Sequence, residues 1–138
     1  MLLKSDLKRI ANARLADAEA LFLAGRFDGA AYLCGYVIEI TLKLRICRTM
    51  QWDGFPESRK EFEGLLSFKT HDLDALLHVS GIENKVKQFH FLEWSTVKAW
   101  NPESRYNRAV FMNKTQLLAR KNQVMNILND TKVLMKVL

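Results

Sequence analysis

Along the first part of the chain the apolar residues return at helical intervals. Leu7, Ala11, Leu15, Ala18 and Phe22 recur at steps of four, four, three and four. They line one side of an amphipathic helix, with Lys8, Arg9, Asp17 and Glu19 elsewhere around it. The "AGRF" that follows puts Gly25 where this helix stops. Asp28 then stands as an N-cap ahead of "GAAYLCGYVIEITLKLRICRTM", a second helix running to about Met50. Leu33, Val37, Ile40 and Leu44 make one apolar row on it, and Cys34, Ile38 and Leu42 make another. A helix apolar on most faces is a central one, covered by its neighbours.

"QWDGFPESRKEFEGLLSFK" reads as a connector, broken by Gly54 and Pro56 and holding at most one helical turn. Thr70 is placed to cap "HDLDALLHVSG", whose Asp72 and Asp74 fall in the first turn, where the helix dipole favours acids. Gly81 ends that segment. A fourth helix is expected over roughly Glu83 to Trp100, with Phe91, Trp94 and Val97 on one face. Asn101-Pro102 breaks it, because the residue before a proline is pushed out of the helical region. A last helix runs from about Asn113 to the end, with Leu117, Val124, Leu128 and Leu134 among its apolar positions. No stretch alternates like a strand over a useful length, and no repeat or low-complexity tract occurs. The pattern predicts an all-α protein, an up-and-down bundle of four long helices plus one shorter helix, in one domain over residues 1–138.

Composition changes this picture little. Of 138 residues, 49% are hydrophobic and 26% charged, which is ordinary for a chain with a real core. The net charge of +6 suits phosphate-bearing partners without specifying one, since no run of five or six like charges occurs. Cys34 and Cys47 lie thirteen residues apart on one helix, about 20 Å at ~1.5 Å per residue, too far for a mutual disulfide. Two such thiols suggest a reducing compartment. His71, His78 and His90 do not read as a zinc set, and no metal or cofactor is expected. No leader and no membrane span is expected either, which makes a prokaryotic cytoplasm the default location.

The chemistry concentrates in two places. On the second helix Tyr32, Tyr36, Glu39 and Lys43 recur at steps of four, three and four, so they share one stripe. Burying a charge on an apolar helix costs several kcal/mol, on the order of 3–5 for a pair that loses one partner, so Glu39 and Lys43 need partners. They belong either to an internal salt-bridge network or to a polar cleft. The second place is the corner from Asn101 to Tyr106. Arg105 carries a forked cation suited to a carboxylate or a phosphate. Trp94 and Trp100 stand six apart, so one is expected in the core and the other at the corner, where an aromatic beside arginine is a stacking platform for a base. His71 is either a capping and packing residue or a base or phosphate contact at a helix start.

"GRFDGAAYLCGYVIEITLKLRIC", then "THDLDALL", then "WSTVKAWNPESRY", in this order and spacing, resemble the HEPN family, the higher eukaryote and prokaryote nucleotide-binding domains. The likeness runs from Leu15 to about Gln123. It implies a bundle of four or five helices, usually a homodimer with a cleft along the interface. Many members are metal-independent ribonucleases, including toxins of toxin–antitoxin pairs, often encoded beside a minimal nucleotidyltransferase. The family's catalytic motif is an arginine followed four to six residues later by a histidine. This chain departs from it. Those offsets reach Ala109, Val110 and Phe111 from Arg105, and Met112, Asn113 and Lys114 from Arg108. From Arg48 they reach Trp52, Asp53 and Gly54. No catalytic residue is therefore carried over.

The expected function is a non-catalytic nucleotide- or RNA-phosphate-binding module. Its candidate residues are Lys43, Glu39, Arg105, Tyr106, His71, Tyr36 and Trp100. One alternative is a metal-independent ribonuclease with an irregular site built on Arg105 and His71. Another is an interaction partner of a minimal nucleotidyltransferase.

Overall fold

The computed structural model of the chain describes residues 1–100 and 113–138. Among the described residues the fold is mostly helical. The first helix, α1, spans Lys4–Leu23, and α2 spans Phe27–Thr49. Three one-to-two-turn helices follow, α3 at Leu73–Val79, α4 at Glu83–Phe89 and α5 at Phe91–Val97. The last helix, α6, spans Lys114–Val137. A 3-10 turn at Leu66–Phe68 is the helical turn of the connector.

α2 is the central element. From Ala30 to Cys47 none of its side chains is exposed. α1 and α6 both pack on it, α3 covers its C-terminal half, and α5 lies against α6. The main core gathers Ile38, Leu42 and Ile46 of α2 with Leu7, Leu73, Leu76, Leu77, Trp94, Val97 and Leu134. A smaller cluster sets Cys34 against Ala18 and Leu128. The row predicted on α1 is the row that faces inward, with Leu7, Ala11 and Ala18 buried.

Several local expectations are corrected. Among the described residues three helices are long, of 20, 23 and 24 residues, where four were expected. The helix expected from Glu83 to Trp100 is two helices of 7 residues each, which meet at His90 with φ −134° and ψ 34°. No glycine or proline lies there. The bend lets Val86 on one side and Trp94 and Val97 on the other all enter the same core. Trp94 is held there by its indole N–H, which donates to Asp74 of α3 at 2.8 Å. Phe89, Phe91 and Leu92 are left exposed at the bend.

Asp28 is not the cap of α2. It lies in the first turn and pairs with Arg120 of α6 at 2.7 Å, so it ties two helices together instead. The cap of α3 is Asp72, which accepts from the Ala75 N–H. Thr70 in turn accepts from the Asp72 N–H. Asn113, near which the last helix was expected to begin, caps α6 in a capping box completed by Gln116.

Two short strands were not expected. β1, Leu2–Leu3, pairs antiparallel with β2, Gly54–Phe55, in the register Leu2 to Phe55 and Leu3 to Gly54. Two residues are too few for any alternation to show in sequence. The pairing depends on Gly54, where an added Cβ would lie 2.5 Å from the Leu2 carbonyl oxygen. It draws Phe55 into the core beside Lys43.

Candidate functional site

The stripe on α2 forms two adjacent groups about one turn apart. In the first, the Tyr32 hydroxyl donates to the Tyr36 hydroxyl at 3.2 Å. Trp100 closes over both rings, 4.9 Å from Tyr36 and 6.2 Å from Tyr32 between centroids. Its indole N–H donates to the Tyr32 carbonyl at 3.0 Å. The indole rests on Gly35, where an added Cβ would fall 2.0 Å from the ring. A glycine inside an otherwise bulky helix is there because the ring needs its space. Of the two tryptophans, Trp94 is the buried one and Trp100 is the half-buried one at the corner.

The second group is ionic. Glu39 is only 2% exposed, and its Oε1 meets Lys43 Nζ at 3.0 Å and His71 Nδ1 at 2.5 Å. Lys43 lies over the Phe55 ring, 5.2 Å from its centroid, so its charge is shared between a carboxylate and an aromatic face. Glu39 Oε2 has no hydrogen-bonding partner among the described residues. His71 arrives from the segment that leads into α3. Leu73, Leu76 and Leu77 dock α3 onto α2, and the extended backbone at Asp72 carries His71 back to Glu39. The His71 side chain stays 62% exposed while the carboxylate it touches is buried. An exposed imidazole gripped from below by a buried acid is the chemically most pointed arrangement among the described residues.

The structure thus brings together Glu39, Lys43 and His71, and separately Tyr36 and Trp100 with Tyr32. Arg105 and Tyr106 lie outside the described residues, and so does the expected contact of Arg105 with Glu39. Two features had no place in the reading of the sequence: Gly35 as the seat of Trp100, and Phe55 as the cover of Lys43. Gly35 was detectable as a lone glycine in a helical run. Phe55 was not, because a two-residue strand pairing delivers it. His78 pairs with Glu83 at 2.9 Å and is exposed. His90 is half-buried, with its Nδ1 unpartnered among the described residues.

Neither thiol is a candidate nucleophile. Burial pushes Cys34 up to about 11, and burial also raises Cys47. Both are free cysteines. No group of three or more His, Cys, Asp or Glu side chains among the described residues is placed to hold a metal ion. A shallow open groove is lined by Trp52, Pro56 and Leu65 together with Asp53 and Glu61. The Met1 ammonium that also lines it is paired with Glu57 and Glu61, and with Asp53 beside them the groove is a poor seat for a phosphate. No helix among the described residues is long and apolar enough to cross a membrane.

In comparisons with known proteins, no family model matches the chain, no curated protein is found similar to it, and no solved structure matches it.

Proposed function

We propose that this chain is a HEPN-like module, an up-and-down helical bundle acting as a homodimer, that binds the phosphate of a nucleotide or of RNA. The observation that carries the reading is the exposed His71 held on the buried Glu39. The net charge of +6 draws a polyanion toward the surface. Tyr36, one turn away on the same stripe, and Trp100, packed against it, offer rings beside which a base can lie. Arg105 and Tyr106 complete the site in this reading. A toxin–antitoxin or defence role follows from the family resemblance, and a prokaryotic cytoplasm is the location this reading assumes. The test is a gel shift with labelled mixed-sequence RNA in EDTA. Wild type is expected to shift the RNA, and His71→Ala and Arg105→Ala to bind at least about tenfold more weakly, the ~1.4 kcal/mol of one charged contact, with unchanged circular dichroism. Equal binding by both variants would remove the site.

A second reading is favoured by one specific contact, that between Glu39 and His71. A carboxylate on the inner nitrogen of an imidazole is how catalytic histidines are held in place. In this reading the protein is a metal-independent ribonuclease with an irregular site, His71 supplying the imidazole and Arg105 the phosphate contact. Cleavage of the same RNA in EDTA by wild type, and none by His71→Ala, is the expected result. Intact RNA at high protein concentration removes this reading.

A further inference from the structure

Glu39 Oε1 serves two partners at once, Lys43 Nζ and His71 Nδ1. A lysine ammonium has only protons to give. An oxygen that accepts from it has no proton to offer the ring. The hydrogen in the contact between Glu39 and His71 therefore belongs to Nδ1. A neutral imidazole carries a single ring proton, so Nε2 is bare. The His71 side chain is 62% exposed, and Glu39 meets the ring at Nδ1.

We infer that Glu39 is a positioning residue for His71: it fixes the neutral ring with its proton on Nδ1 and leaves Nε2 as an unprotonated acceptor at the protein surface. A free imidazole in water prefers the opposite arrangement. Lys43 serves the same end. Held between Glu39 Oε1 and the Phe55 ring, it keeps the carboxylate from turning away from His71. The consequence is chemical. The neutral ring accepts a hydrogen at Nε2 from an N–H or from a hydroxyl such as a ribose 2′-hydroxyl. It meets a phosphate oxygen only as the doubly protonated ring, in which Nε2 also donates. The chemical purpose of this arrangement rests on the ribonuclease reading, but its geometry does not.

The test is a two-bond proton–nitrogen spectrum of the full 15N-labelled chain, at a pH where the ring is neutral. His71→Gln identifies the signals, which keeps them apart from His78 on Glu83. The expected result is a protonated Nδ1 and a bare Nε2 in wild type. In Glu39→Leu the proton is expected to move to Nε2. Should Glu39→Leu not fold, the wild-type spectrum still decides, and Lys43→Met, expected to show a mixture of the two forms, supplies the comparison. A wild-type proton on Nε2, or an unchanged tautomer in folded Glu39→Leu, would overturn the inference. A protonated Nδ1 in a protein that leaves RNA intact supports the positioning role and removes only the ribonuclease reading.

Discussion

Trp100 can lie across α2 only because residue 35 has no side chain. Gly35→Ala would place a methyl group 2.0 Å from the indole, so the ring must leave its seat and its bond to the Tyr32 carbonyl. Overpacking of this kind costs about 1–3 kcal/mol, reduced by the ~1 kcal/mol that alanine gains over glycine inside a helix. The expected outcome is a small net loss in urea denaturation together with a red-shifted tryptophan emission. An unshifted emission would mean that the ring does not depend on Gly35. At this scale the sequence was partly legible. The stripe of Tyr32, Tyr36, Glu39 and Lys43 follows from helical spacing alone. The identity of Glu39's second partner does not, because His71 is 32 residues away and reaches it only through the docking of α3.

Among the elements, α6 shows most plainly the difference between local and tertiary support. From Lys114 to Gln123 every side chain is exposed except the half-buried Arg120, and Val124 is the first buried one. Among the described residues this end of the helix is held by its capping box and by the pairing of Arg120 with Asp28. Asn113→Ala should cost about 1 kcal/mol. The loss is expected as faster amide exchange over Gln116 to Ala119, with the amides after Val124 unchanged. Uniform acceleration along α6 would show instead that the whole helix opens as one unit. The cap at Asn113 is a local contact across three residues, although the sequence pattern placed only the start of the helix there. The bend at His90 is not local. No residue there forbids a helix, and it is the shared burial of Val86, Trp94 and Val97 that turns the chain.

For the molecule as a whole, Cys34 links packing to pH. Its thiol is pushed up to about 11 by burial, from an ordinary value of 9.0. The native state keeps the proton after the unfolded chain has lost it. The stability this contributes is complete below pH 9 and is lost as the pH rises to about 11. Two units correspond to about 3 kcal/mol at ~1.4 kcal/mol each. Urea midpoints at pH 8 and pH 10.5 should fall further apart in wild type than in Cys34→Ala, which lacks the group. Equal falls would show that Cys34 is wetter than its place beside Ala18 and Leu128 implies.

By itself the sequence determined what depends on near neighbours. The amphipathic face of α1, the apolar girth that makes α2 central, the cap of α6 and the pairing of Glu39 with Lys43 are all set by residues three or four apart. Helical geometry converts such spacings into faces whatever the rest of the chain does. Only the tertiary structure decided what depends on distant segments meeting. It split the helix at His90, drew Phe55 over Lys43, seated Trp100 on Gly35 and set His71 on Glu39. Each of these contacts is set by the burial of apolar residues elsewhere in the chain. No local pattern records which two polar groups that burial will leave side by side.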